Sequence, residues 1–389
     1  MQLTSQTSLP HDGTSGALAA RVWRPDVDGP SVVALRGEDA IDITPTFATM
    51  RDLCETPDPA KALKDAPGER ICSVAELFAN TPTETRNSSR PWLLAPADLQ
   101  AVKAAGVTFA VSMLERVIEE RARGNPAAAA AIRQEIVALV GDDLSKLKPG
   151  SSQAMALKTL LLEQGAWSQY LEVGIGPDAE IFTKAQPMAA VGTGADAGLH
   201  PSSSWNNPEP EVVLAVNSRG QIVGATLGND VNLRDIEGRS ALLLGKAKDN
   251  NASATLGPCL RFFDASFTLD DVRQCTISLN VTGEDGFVLE GFSSMSQISR
   301  DPVDLTAQMI SPNHQYPDGA MLFLGCMFAP VQDRDTVGGG FTHKPGDIVT
   351  ISTPKLGALV NRMKRSDECL PWTFGASHLL RNLAKRGLL

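Results

Sequence analysis

The segment 208–211, Pro-Glu-Pro-Glu, is followed at once by five apolar residues, 212–216, and this run constrains the chain more than any other feature. Side chains alternate between the two faces of a strand, so Glu209 and Glu211 would point to the same side of a strand that begins here. The turn sequence Ser-Arg-Gly at 218–220 and a second apolar run after it predict a β-hairpin. Any fold that contains this hairpin must accommodate two neighbouring carboxylates at one of its ends.

A third carboxylate, Asp230, follows Gly228 and Asn229 where the second strand of the hairpin would return to the start of the first. Neighbouring carboxylates repel one another unless they face water or share a cation. Three oxygen ligands with room for water suit Mg²⁺, or Mn²⁺, and not Zn²⁺. We therefore predict a metal site at Glu209, Glu211 and Asp230. On the pattern alone, solvated residues of an edge strand are the more common explanation of the two glutamates, and such a strand suits Pro210.

The rest of the chain predicts a β-rich α+β protein. Short strand-like runs punctuated by glycine and proline fill residues 1–90, and strand patterns return from 171, ending in a C-terminal helix. Between them, helical spacing, start signals and stop signals predict a run of helices: Pro96 to Gly106, Val111 to Arg123, Pro126 to Val140 and Ser152 to Gln169. We expect a smaller N-terminal domain at 1–90, a helical insertion with a candidate lid at 91–170, and a catalytic domain at 171–389.

Composition and charge narrow the class of function. The 389 residues carry a net charge of −10 without a basic patch, which argues against a nucleic-acid partner. No stretch of 18 uncharged apolar residues occurs, so a membrane span is not expected. Six cysteines without a CxxC pair, and an N-terminus unlike a signal peptide, favour reduced thiols in the cytoplasm.

Several ordered motifs resemble the fumarylacetoacetate hydrolase superfamily: Ile181 to Lys184, the Glu-x-Glu at 209–211, Gly228 to Asp235, Lys248, and the Pro-Gly-Asp strand at 344–349. The likeness covers about residues 171–361. Within the superfamily, the Pro-Glu-Pro-Glu form and the motif spacing are similar to the 2-keto-3-deoxy-D-pentonate dehydratases of the D-xylose oxidative pathway. The resemblance implies a mixed β-sheet roll, a Mg²⁺ site and a homodimer or homotetramer.

The resemblance also implies roles for individual residues. Lys248 would meet a carboxylate or enolate oxygen of the substrate or move a proton, and Glu180 would orient metal-bound water or Lys248. Glu115, on the candidate lid helix, would be the acid for a leaving hydroxyl. Ser112 and Cys326, with Lys248, would contact the substrate. Solvated positions remain the alternative for Lys248 and Glu115.

The function implied is that of a hydro-lyase: Mg²⁺-dependent conversion of 2-keto-3-deoxy-D-arabinonate to 2,5-dioxopentanoate and water through a metal-stabilised enolate. One alternative is a C–C hydrolase or decarboxylase that acts on an acylpyruvate or oxaloacetate. The segment 111–116 lacks the lid histidine of the hydrolases, which disfavours that alternative. Another alternative, from a different class, is a non-catalytic protein that binds a metabolite. In each case the partner is a small 2-oxo acid or a related metabolite.

Overall fold

A computed structural model describes residues 1–123, 147–163, 167–328 and 330–389, together with 125, 128, 131, 132 and 134. For 110–112, 114 and 119 the description covers the backbone and leaves out the side chains. The helix predicted from Pro126 to Val140 therefore lies largely outside the described residues.

The described residues form eighteen strands. Their bounds are β1 Leu18–Arg24, β2 Gly29–Arg36, β3 Asp39–Asp42, β4 Glu69–Ser73, β5 Trp92–Leu94, β6 Ala101–Gly106, β7 Glu180–Ala185, β8 Asp196–Leu199, β9 Asn206–Asn207, β10 Pro210–Val216, β11 Ile222–Asp230, β12 Asn232–Leu233, β13 Ala254–Phe262, β14 Thr276–Thr282, β15 Val288–Ser294, β16 Ala320–Phe323, β17 Ile348–Thr353 and β18 Gly357–Arg365.

Twelve α-helices lie in the same part of the chain. Their bounds are α1 Ser5–Ser8, α2 Met50–Cys54, α3 Pro59–Asp65, α4 Val74–Ala79, α5 Ala110–Ala122, α6 Ser152–Glu163, α7 Gln169–Ile175, α8 Arg234–Glu237, α9 Leu244–Lys248, α10 Leu269–Gln274, α11 Pro302–Met309 and α12 Ala376–Lys385. Among the described residues, no helix combines the length and apolar character needed to cross a membrane.

Two large mixed sheets organise these elements. The first has the strand order β4-β3-β2-β1-β13-β11-β10-β16-β6-β7, with β5 paired to β1, and the second has the order β15-β14-β17-β18-β8. Most neighbours are antiparallel, but β16 runs parallel to β6 and β18 runs parallel to β8. The predicted class, a β-rich α+β fold with a mixed sheet roll, is confirmed. The division into three domains stays a prediction.

Strand β10 lies inside the first sheet, between β11 and β16, and all seven of its residues are buried. Its even-numbered side chains, Val212, Leu214 and Val216, belong to the core shared with the second sheet. Val213 and Ala215 belong to the core on the opposite face. Alternation places Glu211 on the same side as Val213. The predicted hairpin is confirmed, and burial on both faces explains its uninterrupted apolar sequence.

The predicted helix from Pro96 to Gly106 is wrong, because its second half forms strand β6. Ala101–Gly106 pairs parallel with β16 and antiparallel with β7. The alanines of this segment favour a helix in isolation, but two strand partners and burial between cores override that weak preference. The next predicted helix, Val111 to Arg123, is confirmed as α5, so the helical insertion begins after β6.

Candidate metal centre and active site

The β10–β11 hairpin brings the three predicted metal ligands together. Glu211 pairs with Gly228 across the hairpin, and the Asp230 N–H donates to the carbonyl of Glu209 over 3.0 Å. The Glu209 N–H in turn donates to the side-chain oxygen of Asn229 over 2.9 Å. Carboxylate oxygens of Glu209, Glu211 and Asp230 all lie within 4.8 Å of one another, and all three side chains are buried.

Three buried cations surround this trio. The Lys248 Nζ donates to Glu209 over 2.6 Å and to Asp230 over 3.0 Å. Lys184, which is fully buried, lies 2.8 Å from the second Asp230 oxygen and also donates to the carbonyl of Lys248 over 2.6 Å. Arg116, on α5, binds Glu209 through one arm of its guanidinium group. The carboxylates therefore lie in a dense ion network rather than facing bulk water.

Two further carboxyl groups, Glu180 and Glu237, complete the cluster. Glu237, at the end of α8, lies 2.8 Å from the second arm of Arg116 and 4.0 Å from Lys248. Glu180, at the start of β7, lies against Gly106, where a Cβ atom would collide with its carboxyl group. Among the described residues of the cluster, five carboxyl groups face three cations. With every group ionised the cluster carries a net charge of −2.

Burial and crowding of like charges shift the proton affinities of the acids. Burial, with the charges of Asp230 and Glu209, raises the pKa of Glu211 well above its ordinary range. Burial and the charge of Glu237 raise the pKa of Glu180 to about 7. Burial alone would raise the pKa of Asp230 too, but Lys184 and Lys248 outweigh it and the pKa is lowered. Glu180 is therefore poised to gain or lose a proton near neutral pH.

The basic partner keeps its proton. Burial lowers the pKa of Lys248, but the charges of Asp230, Glu209 and Glu237 more than offset this effect and the pKa lies well above its ordinary range. Lys248 therefore suits hydrogen-bond donation to an anionic oxygen better than proton abstraction.

A narrow cleft with a volume of about 10 Å³ lies at the cluster, and three of the predicted catalytic or substrate residues line it: Glu180, Lys248 and Cys326. Cys326 follows Gly325, whose N–H donates to Glu211 over 2.6 Å. Burial, with the charges of Glu209 and Glu211, raises the pKa of the Cys326 thiol well above its ordinary range.

The lid residues are less well placed. Helix α5 contributes Arg116 to the described lining of the cleft. Glu115 is buried beside Arg116 and is not among those lining residues. Ser112 lies in α5, and the structure describes its backbone but not its side chain. The roles of Glu115 and Ser112 stay predictions.

A larger cavity of about 330 Å³, lined by Arg21, Trp23 and Trp92 among others, holds none of the three carboxylates. We assign the site by its buried charges rather than by volume, because perturbed and converging ionisable groups are the physical mark of a reaction site.

Sequence reasoning missed three members of the cluster. Lys184 ends the Ile-Phe-Thr-Lys motif, which was a usable signal for it. Arg116 and Glu237 carried no signal, because each is a charged residue of a helix and looks solvent-exposed when only the sequence is considered. Both are buried only because α5 and α8 pack over the end of the hairpin.

No family model matches the chain. A 2-dehydro-3-deoxy-D-arabinonate dehydratase of Saccharolobus solfataricus is 29% identical over 48% of this chain and 59% of the relative. A probable 2-keto-3-deoxyxylonate dehydratase of Haloferax volcanii is 29% identical over 49% of this chain and 62% of the relative. The chain thus spans about three fifths of the length of the curated relatives that it matches.

Solved structures agree with these matches at the level of the fold. A crystal form of 2-keto-3-deoxyarabinonate dehydratase superimposes with a TM-score of 0.61 and 21% identity, over 90% of this chain and 99% of that one. A 2-keto-3-deoxy-D-arabinonate dehydratase complexed with magnesium and 2,5-dioxopentanoate superimposes with a TM-score of 0.58 and 22% identity, over 90% of this chain and 99% of that one. The resemblance predicted from the sequence is therefore confirmed: about half of the chain is similar in sequence to a 2-dehydro-3-deoxy-D-arabinonate dehydratase, and its fold is similar to that of 2-keto-3-deoxy-D-arabinonate dehydratases.

Proposed function

We propose that this protein is a hydro-lyase that converts 2-keto-3-deoxy-D-arabinonate to 2,5-dioxopentanoate and water, with Mg²⁺ or Mn²⁺ held by Glu209, Glu211 and Asp230. The observation that carries the proposal is the buried trio of carboxylates inside a cluster whose full ionisation leaves two negative charges in excess. The names of the relatives and the magnesium and 2,5-dioxopentanoate in one solved neighbour support it.

The donor set fits a hard divalent cation. The three carboxylate oxygens that lie within 4.8 Å of one another are hard oxygen donors of the kind that Mg²⁺ prefers. One added dication also cancels the excess charge of the cluster. When bound, the cation supplies Lewis-acid polarisation of the carboxylate and keto oxygen of a 2-oxo acid.

The remaining chemistry belongs to side chains of the cleft. Loss of a C3 proton and of the C4 hydroxyl as water gives an enone, and transfer of a proton from C5 to C3 gives an enol that becomes the C5 aldehyde. Lys248 keeps its proton and donates hydrogen bonds to the oxygens on which negative charge develops. Glu180, with a pKa of about 7, exchanges protons with the carbon chain.

The C4 hydroxyl needs an acid to leave as water, and Glu115 is our proposal for this role, with Ser112 and Cys326 as contacts to the substrate. Assembly as a homodimer or homotetramer and a cytoplasmic location stay predictions from the sequence.

A direct assay tests the proposal. The purified protein is incubated with Mg²⁺ and 2-keto-3-deoxy-D-arabinonate, the aldehyde product is oxidised by a coupled aldehyde dehydrogenase, and NAD(P)H formation is followed. We expect turnover that EDTA abolishes and Mg²⁺ restores. Fumarylpyruvate and oxaloacetate are run in parallel. Turnover of either one without turnover of the sugar acid would replace the dehydratase by a hydrolase or decarboxylase, and no turnover of any would favour a binding protein.

A further inference from the structure

Arg116 spans two carboxylates with different neighbours. One arm of its guanidinium group binds Glu209, and the other lies 2.8 Å from Glu237. The side chain is buried and lines the cleft. Glu209 belongs to the trio of predicted metal ligands, whereas Glu237 lies outside it. Arg116 thus connects helix α5 to the predicted metal site through Glu209, and its ion pair with Glu237 holds it beside that site.

Both oxygens of Glu209 already have a cationic partner. Oε1 binds Arg116 and Oε2 binds Lys248 over 2.6 Å. A dication that ligates Glu209 therefore competes with one of these two cations. The other strong partner of Lys248 is Asp230, at 3.0 Å, which is itself a predicted ligand. The other anchor of Arg116 is Glu237, so Arg116 can leave Glu209 and still remain in the cleft.

We propose that Arg116 is the residue that receives the carboxylate of the substrate, exchanging Glu209 for the anionic end of a 2-oxo acid when a dication occupies the trio. This inference deepens the proposed function and rests on it for the substrate class. A guanidinium group presents its N–H donors as a planar fork that matches a carboxylate, and it stays charged at any working pH. The anchor at Glu237 orients that fork before the substrate arrives.

The proposal predicts that a change at Arg116 has opposite effects on the binding of the dication and on the binding of the organic anion. Arg116→Gln removes a positive charge that repels a dication and competes for Glu209, so the metal should bind more tightly. The same change removes the partner of the substrate carboxylate, so the organic anion should bind more weakly. A residue that only supports the packing of α5 would, on removal, weaken both.

Binding is measured without turnover, which keeps this test separate from the dehydratase assay. Mn²⁺ is titrated into the metal-free full-length protein and the free ion is followed by electron paramagnetic resonance. Pyruvate, a 2-oxo acid with no C4 hydroxyl to lose, is then titrated calorimetrically into the Mn²⁺-loaded protein. We expect Arg116→Gln to tighten Mn²⁺ binding by about 5-fold and to weaken pyruvate binding by about 10-fold or more.

Arg121→Gln is the matched control, because it makes the same charge change on an exposed position of the same helix. Both of its affinities should stay within about 2-fold of the wild type, since exposed charges are screened. Arg116→Lys covers the case in which the glutamine variant does not fold. It keeps the charge but not the fork, so Mn²⁺ affinity should be nearly unchanged while pyruvate affinity falls.

If a folded Arg116→Gln protein bound both Mn²⁺ and pyruvate more weakly than the wild type, the proposal would be overturned. A pyruvate affinity equal to that of the wild type would overturn it as well. Failure of the sugar-acid assay with the opposite-sign result intact would overturn the dehydratase function alone.

Discussion

Replacing Glu211 by glutamine removes the ionisable group of one of the three buried acids and keeps a side chain of nearly the same shape. Its carboxylate lies within 4.8 Å of carboxylate oxygens of Glu209 and Asp230. Two unit charges at that separation repel by roughly 3 kcal/mol at an effective dielectric constant of about 20. The raised pKa of Glu211 relieves part of this repulsion. The amide oxygen of glutamine can still accept the Gly325 N–H that Glu211 accepts over 2.6 Å.

We therefore expect Glu211→Gln to stabilise the metal-free protein and to destroy the metal response. In EDTA, its free energy of unfolding should rise by about 1–2 kcal/mol, which corresponds to a few degrees in Tm. Wild-type protein in Mg²⁺ at about 100 times Kd should gain about 2.7 kcal/mol relative to EDTA. The variant should gain almost nothing and should lose the coupled dehydratase activity.

Urea denaturation in EDTA and in Mg²⁺ measures these quantities, with Glu69→Gln, an exposed carboxylate on β4, as the control. A Glu211→Gln protein that still gains stability from Mg²⁺, or that keeps its activity, would refute the assignment of Glu211 as a ligand. A clear loss of stability in EDTA would refute the electrostatic reasoning, because it would mean that the buried charge is compensated rather than strained.

Other changes test neighbouring parts of the cluster. Because the folded pKa of Glu180 is raised from 4.5 to about 7, the unfolded chain loses this proton first. In EDTA, the free energy of unfolding should therefore fall by up to roughly 3 kcal/mol as pH rises from about 4.5 to about 7, and Glu180→Gln should remove this fall in urea titrations at pH 5 and 8. Lys184→Met leaves Asp230 short of a buried partner and should cost about 3 kcal/mol or more of thermal or urea stability, whereas Lys61→Met at an exposed site should change little. The raised pKa of Cys326 makes its thiolate scarce at pH 8, so iodoacetamide should label it much more slowly in native than in urea-unfolded protein, as mass spectrometry of the peptide can show.

Local sequence patterns correctly predicted the elements whose apolar spacing and turn residues all lie within one short segment. The β10–β11 hairpin follows from an apolar run, a turn and a second run, and helix α5 follows from apolar spacing. The prediction for strand β6 was wrong because Ala101–Gly106 has helix-forming residues. This segment becomes a strand only by pairing with β7 and β16, which lie far away in sequence. Sequence periodicity does not contain those partners.

The sequence alone determined that three carboxylates meet. Strand alternation puts Glu209 and Glu211 on one side, and a hairpin must return Asp230 beside them. Such short-range geometry holds whatever surrounds it. Only the tertiary structure decided which charges compensate that trio. Arg116 and Glu237 reach it from separate helices, and they become buried partners only when those helices pack over the hairpin end. The sign and strength of their interactions depend on distance and desolvation, and neither quantity exists until the chain has folded.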